Sequence, residues 1–279
     1  MSKFLFHYEP VIRVGFFFGI LLLMAFWEVL APRRPWSASK KGRWFCNLAV
    51  VLIDTLALRL LFPLLATGVA IMAEQEGWGL LNKIVLPSEI KIFLGLAALD
   101  FIIYLQHAMF HGLPTLFRLH MVHHTDLDFD ASTGVRFHPI EIILSMALKM
   151  AVVASLGIFF LAVLIFEILL NATSMFNHGN VRLPDRVDRL LRLFVVTPEM
   201  HRVHHSVIIR ETNSNFGFNF PWWDRLLGTY KSQPQAGHEG MTIGLSHLRD
   251  PRRLTLLRLL SLPFIEKPGK YPLSLGNQR

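Results

Sequence analysis

Five apolar stretches, at 11–30, 45–73, 92–111, 139–156 and 158–177, constrain this chain more than any other feature. In hydrocarbon every backbone N–H and C=O must be satisfied within the protein, and a helix does this inside one segment. About twenty residues at roughly 1.5 Å each span a core of roughly 30 Å. The first stretch is too long for the apolar part of a typical signal peptide, and no small-residue cleavage site follows it, so it reads as a retained span. Arg33, Arg34, Lys40, Lys41 and Arg43 come next and put this loop on the cytoplasmic side. The second stretch is longer than a span needs and is interrupted by Asp54, Arg59 and Pro63, so it should tilt, kink or turn its polar residues inward. Residues 74–91 carry three glutamates against two lysines, as suits a non-cytoplasmic loop, and 92–111 crosses back. The last two stretches meet at Gly157, too close for a loop, and form a tight helical hairpin that crosses the bilayer or dips into it. The expected fold is all-α, an integral membrane helical bundle with about four to five spans.

Composition agrees. The chain of 279 residues is 52% hydrophobic and 17% charged, with mean hydropathy +0.42, which excludes disorder and an ordinary soluble enzyme. A net charge of +8 in so apolar a chain points to an anionic lipid surface, and no basic block is long enough to suggest nucleic acid. The single cysteine, Cys46, excludes an intramolecular disulfide framework and any Cys-rich zinc or iron–sulfur site. From His178 onward there are 15 Arg and Lys against 8 Asp and Glu, and no stretch long enough to span. Within this part, 185–196 and 252–262 alternate arginine and leucine at helical spacing, as helices at a membrane interface or packed on the protein do. Three regions are expected: membrane helices with the basic loop (1–98), a histidine-rich domain (99–232) and a basic interfacial tail (233–279).

Thirteen histidines are about twice an ordinary share, and ten lie in or beside three boxes. These are His107-Ala-Met-Phe-His111, His120-Met-Val-His123-His124 and His201-Arg-Val-His204-His205, with His138 in Arg136-Phe-His-Pro139 and His178 in Asn177-His-Gly-Asn180. Positions three and four apart share a helix face, so each box aims two or three imidazoles at one point. From composition alone about 0.03 copies of HxxHH are expected by chance, and there are two. The span count puts all three boxes, His138 and His178 on one cytoplasmic face. Ten imidazoles exceed what a single zinc takes, so two metals with about five nitrogens each fit better. Imidazole suits iron, copper and zinc alike. No glutamate among the eleven has a histidine three residues on, so the soluble di-iron pattern is absent and an all-histidine site is implied.

This order of boxes resembles the fatty acid hydroxylase and sterol desaturase superfamily, from about residue 100 to 230. The runs His123-His-Thr-Asp126, Ser132-Thr-Gly-Val-Arg136, Phe137-His-Pro-Ile-Glu141 and Trp223-Asp-Arg-Leu-Leu-Gly-Thr-Tyr230 resemble its bacterial branch. The resemblance implies an oxidoreductase with two iron ions as cofactor and dioxygen as co-substrate, acting on an unactivated C–H bond of a fatty acyl, sterol or related lipid. It implies as ligands His107, His111, His120, His123, His124, His138, His178, His201, His204 and His205. The chain has neither a Cys-rich cluster nor a Gly-rich dinucleotide fingerprint, so electrons should come from a separate donor: a ferredoxin-type protein, a b-type cytochrome or a reductase. The basic cytoplasmic part would attract an acidic one. In a bacterium the location would be the inner membrane. Desaturation is the alternative outcome at the same centre. A histidine-rich metal transporter would spread its histidines through the spans, and a zinc hydrolase would leave most of the ten unused.

Other residues have plainer readings. Asp100 shares a helical spacing with His107 and His111 and could orient a histidine, or pair with Arg59 in the membrane. Asp126, Asp128, Asp130, Glu141 and Glu199 lie beside the boxes, where any could bond a ligand, although a helix cap or solvated carboxylate is the commoner role. Asn213, Asn215, Trp222, Trp223 and Asp224 follow the last box, the tryptophans reading first as interfacial anchors. His7, His238 and His247 have no partner at ligand spacing and are expected at the surface.

Overall fold

A computed structural model describes residues 2–273. The chain runs through α1 (Ser2–Leu30), α2 (Lys40–Leu61), α3 (Ala66–Gln75), α4 (Leu80–Lys83), α5 (Ser88–Gly112), α6 (Pro114–His124), α7 (Pro139–Leu156) and α8 (Phe160–Asn177). Shorter helices follow: α9 (Asp185–Leu191), α10 (Pro198–His204), α11 (Ile209–Thr212), α12 (Trp222–Leu226), α13 (Gly237–Gly240) and α14 (Leu256–Ile265). No β-strand occurs among the described residues, only the isolated bridges Pro32 to Val181 and Ser206 to Ile243. The five expected spans correspond to five segments long and apolar enough to cross a membrane: Leu5–Leu30, Lys40–Lys83, Ser88–Gly112, Pro139–Leu156 and Phe160–Asn177.

The long second stretch breaks where its proline predicts. Pro63 has no N–H and disfavours helical backbone at the residue before it, and α2 ends with Phe62 extended at φ −116°, ψ 116°. The chain re-enters as α3, which packs on α7 and α8. The hairpin turn is as tight as its glycine suggests: Gly157 closes α7 at φ 66°, and a Cβ on the facing Gly79 would lie 2.0 Å from the Gly157 nitrogen. Glu74 Oε1 accepts a 2.6 Å bond from the Phe160 N–H, satisfying one of the orphan donors at the start of α8. The end of α3 therefore lies against the α7–α8 turn, a full helix length from the other end of the hairpin. Between the spans Leu99, Ile103, Val153, Ala162, Val163 and Phe166 form the buried core, while Leu22, Phe26 and Leu60 face outward, as a lipid-contacting surface requires.

At the opposite end, α6 and the helices after α8 form a cap. The amphipathic segments are shorter or shifted relative to the sequence reading: the first helix stops at Leu191, and the second begins only at Leu256, after a 3-10 turn at Pro251–Arg253. Helix α14 packs on the protein, with Leu259 and Leu262 against Phe117 and Met121, and leaves Leu257, Phe264 and Ile265 exposed.

The basic loop between α1 and α2 ties cap to bundle. Arg43 donates to Asp126 at 2.5 and 2.8 Å and to Asp130 at 2.8 Å, and Arg136 lies 3.6 Å from Asp126. Burial alone would raise the Asp126 carboxyl, but Arg43 and Arg136 outweigh it and hold that group well below the ordinary carboxylate range. Glu28 accepts from the backbone N–H groups of Ala131 (2.7 Å) and Asn180 (3.0 Å), and Arg33 reaches Glu199 at 2.9 Å and Glu239 at 2.7 Å. Removing one member of a buried ionic group strands the others, at a cost of roughly 3–5 kcal/mol. Arg43→Ala should therefore lower the thermal midpoint in detergent by many degrees and Arg43→Lys by less; equal midpoints for Arg43→Ala and wild type would contradict this role.

Candidate metal centre

Four elements bring the histidines together. Helix α5 ends with His107 and His111 one turn apart, α6 presents His120, His123 and His124, His178 caps α8, and α10 with its C-cap carries His201, His204 and His205. They sort into two fully buried groups whose ligand atoms lie within 4.8 Å of one another: His107, His111, His120, His124 and His204, and then His123, His178, His201 and His205. Each HxxHH box divides between the groups, because adjacent histidines on a helix point about 100° apart. Nine of the ten expected histidines converge, five and four rather than five and five.

His138 is the exception, which corrects the expectation for it. Its Nδ1 accepts from the Ile140 N–H at 3.2 Å, capping α7, and its Nε2 donates to the Leu260 carbonyl at 3.1 Å. Both ring nitrogens are engaged away from the clusters. The proline after it explains this, since Pro139 starts the helix and leaves His138 at the N-cap.

The ring tautomers show that the donor set fits a metal. Nδ1 of His107 faces the Phe216 carbonyl (2.8 Å), of His123 the Arg136 carbonyl (3.2 Å), of His178 the Ser174 carbonyl (2.7 Å) and of His204 the Ser214 carbonyl (2.7 Å). His120 Nδ1 faces Glu141 Oε1 at 2.7 Å and His111 Nδ1 faces Asn213 Oδ1 at 3.1 Å, the Asn213 amide being spent on the Tyr271 carbonyl. Oxygens of these kinds only accept, so the proton is on Nδ1 and Nε2 carries a bare lone pair. Yet His107 Nε2 lies 3.0 Å from His120 Nε2, and His178 Nε2 lies 3.1 to 3.2 Å from those of His123, His205 and His201. His204 Nε2 is buried with no hydrogen-bond partner among the described residues. Lone pairs facing one another without a proton repel, and a cation between them removes the repulsion.

Burial pushes His120 and His178 down to about 3, and burial followed by the neighbouring imidazoles holds His123, His124, His201, His204 and His205 well below the usual histidine range. The rings are neutral, as ligands must be. Close packing fixes them: a Cβ on Gly134 would sit 2.3 Å from the Ser174 carbonyl oxygen and 3.1 Å from His178 Nδ1.

Of the five carboxylates weighed beside the boxes, Glu141 is the one that bonds a clustered histidine among the described residues. Asp126 and Asp130 belong to the Arg43 group, and Asp128 accepts from the Ser37 and Ala38 N–H groups. Glu199 pairs with Arg33, Arg202 and His238. His238 is thus buried in an ionic cluster and not at the surface, whereas His7 and His247 are exposed as expected. Asp100 takes neither expected role: it accepts from the Asn219 and Phe220 N–H groups and, at 2.8 Å, from the Trp223 indole, so it anchors the loop after α11. Asp224 accepts from the Phe216 and Gly217 N–H groups at 2.7 and 2.8 Å and fixes the carbonyl that faces His107. Backbone carbonyls at 136, 174, 214 and 216 leave no residue-type signal, so the sequence could not reveal them. Asn213 was visible beside the last box, but its role was not.

A cavity of about 210 Å³ lies beside the first cluster, between α1, α2, α5, α7 and α8. His107 and His120 line one side, and Phe17, Leu58, Ile103 and Phe137 contribute apolar walls.

Residues 92–229 match the fatty acid hydroxylase family. The chain is 32% identical over 149 residues to ornithine lipid hydroxylase OlsE of Rhizobium tropici, covering 53% of this chain and 44% of that protein. It is 26% identical over 160 residues to alkylglycerol monooxygenase of Homo sapiens (56% of this chain, 32% of that protein), and 27% identical over 136 residues to the Caenorhabditis elegans alkylglycerol monooxygenase (48% and 26%). The chain therefore spans less than half the length of these relatives. No solved structure matches.

Two outcomes follow from this geometry. His204→Ala should release bound metal from purified protein, whereas His138→Ala should keep it and cost only about 1 kcal/mol of helix capping; metal analysis beside thermal unfolding separates the two. In metal-free protein, unfolded histidines take protons near pH 6.5 and folded His120 and His178 only near 3. The unfolded state then binds more protons as pH falls through that window, so the stability present above about pH 7 should decline steadily in acid. A flat unfolding profile from pH 7 to pH 5 would speak against neutral buried rings.

Proposed function

We propose, on the premise that residues 92–229 of this chain belong to the fatty acid hydroxylase family, that the protein is a membrane-bound lipid hydroxylase with two irons held by nine histidines. The observation that carries the reading is the pair of buried all-imidazole clusters, the first of which reaches a cavity among the spans through His107 and His120. The reaction is R–H + O₂ + 2 e⁻ + 2 H⁺ → R–OH + H₂O, with the electrons from an external donor. Bound iron would supply the reduction of dioxygen and the oxidation of an unactivated C–H bond, chemistry that no side chain here possesses.

The chain's own residues provide the setting. His107, His111, His120, His124 and His204 would hold one ion, and His123, His178, His201 and His205 the other. Glu141, Asn213 and the four backbone carbonyls orient these rings through Nδ1. Phe137 stacks on His123 with centroids 4.5 Å apart, and the first-cluster rings are walled by Phe216 and Phe218, which keeps water from the oxidising centre. A substrate reaching the cavity from among the spans never has to leave the bilayer.

The loop carrying Arg33, Arg34, Lys40, Lys41 and Arg43 is ion-paired to the cap, which supports a cytoplasmic position for cap and clusters together. Arg182, Arg186, Arg189, Arg210 and Arg225 are exposed on that cap and suit an acidic electron donor. Both named kinds of relative act on lipids, which supports a lipid substrate here.

Protein purified with about two irons per chain, given reductant and oxygen-18-labelled dioxygen with membrane lipids, should yield lipid products heavier by one labelled oxygen. His124→Ala and His205→Ala should each reduce turnover at least a hundredfold. Products lacking two hydrogens and containing no label would replace hydroxylation by desaturation, and turnover without dioxygen would overturn the reading.

A further inference from the structure

The cavity beside the first cluster is not a plain hydrocarbon pocket. Asp54 of α2, Gln106 of α5 and Glu141 of α7 line it and are 7%, 9% and 4% exposed. Each has a buried oxygen without a hydrogen-bond partner among the described residues: Asp54 Oδ1, Gln106 Oε1 and Glu141 Oε2. A buried acceptor left unmade is costly, and a carboxylate more so. Three from three different helices around one space describe a missing donor.

Charge says what kind of donor is missing. Two cations reach the same cavity, and both are already paired: Arg13 with Glu9 (2.8 Å) and Glu167 (2.9 Å), Lys149 with Glu167 (3.1 Å). Two carboxylates balance those two cations. Glu141 Oε1 is engaged by the His120 ring, and Asp54 has no ion pair among the described residues. The wall is thus left with two carboxyl groups that no Lys or Arg among the described residues meets.

We propose that this wall receives a primary ammonium group borne by the polar part of the lipid substrate, an inference that rests on the hydroxylase reading of the site. An ammonium has three donors, matching the three free acceptors, and its single positive charge lies between the two unpaired carboxyl groups, neutralising one of them. Gln106 immediately precedes His107, and Glu141 touches His120, so the group is held against the first cluster. The C–H bonds offered to the centre then belong to the amine-bearing portion of the lipid. At about 210 Å³ the cavity is smaller than sites that take a whole drug-sized molecule, and it accommodates a portion of the lipid, its acyl chain extending among the spans.

The test uses full-length metal-loaded protein in nanodiscs, titrated calorimetrically with N-palmitoyl putrescine, which has one free primary amine, and with its N-acetyl derivative. The amine form should bind at least about tenfold tighter, the scale of a charge-assisted hydrogen bond. Asp54→Asn should bring the ratio close to one while metal content stays at the wild-type level, and Gln106→Leu should lower the ratio severalfold if the first variant fails to fold. Equal affinities in the wild type would overturn the proposal, as would free putrescine binding as tightly as its acylated form. Incubation with labelled dioxygen separates the two levels of the argument. Selective binding without any oxygenated product would leave the ammonium site standing and overturn the hydroxylase reading. Oxygenation of a simple fatty acyl lipid as efficient as that of the aminolipid would do the reverse.

Discussion

Nine imidazoles converge on two small volumes, six of them aiming unprotonated nitrogens there, and the rest of the structure is arranged so that they can. Six of the rings have Nδ1 committed to a fixed acceptor, and the Nε2 atoms approach one another to 3.0–3.2 Å. Without a cation this is an unfavourable arrangement, because lone pairs oppose one another and three further buried Nδ1 atoms, on His124, His201 and His205, lack partners among the described residues. A rigid frame must hold the rings in place. That frame is the ionic group of Arg43, Arg136, Asp126 and Asp130, with Glu28 on the backbone at 131 and 180, all of it at the junction where the cap meets the spans.

The bundle and the cap contribute different physics to one site. The spans give a low-dielectric wall and two of the first cluster's rings, His107 and His111 at the end of α5. The cap contributes the remaining first-cluster rings and most of the second cluster. The cavity lies where these two environments meet, so it is apolar along Phe17, Leu58 and Ile103 and polar along Asp54, Gln106 and Glu141. An amphiphile, anchored in lipid by one end and polar at the other, matches such a surface better than either a soluble metabolite or a plain hydrocarbon.

The sequence reveals features whose signal is local. Five apolar lengths, Gly157 as the hairpin turn, Pro63 as the break in the second stretch and two HxxHH boxes are all set by neighbouring residues along a helix. It is silent where the partner is a backbone atom or a residue far along the chain. His138 and His178 look alike in sequence, each an isolated histidine next to the hairpin, yet one caps α7 and the other closes the second cluster. Glu141 could not be told from Asp126, Asp128, Asp130 or Glu199, since all five are acidic residues near a box. Asp100 has helical spacing to His107 and still serves the distant loop at 219–223. His238, with no histidine nearby, is buried by Glu199 and Arg202 from another segment.

The sequence by itself determined that this is a helical membrane protein with a histidine-rich metal site, because hydropathy over twenty residues and spacing within one helical turn are properties of a single segment. Only the tertiary structure decided that nine rings and not ten converge, how they divide five and four, and which carboxylate orients His120. It also decided that three unsatisfied acceptors surround the cavity. Those facts depend on the relative placement of α2, α5, α6, α7, α8 and α10, and that placement is fixed by buried ion pairs and hydrogen bonds between residues more than eighty positions apart, for which no local pattern exists.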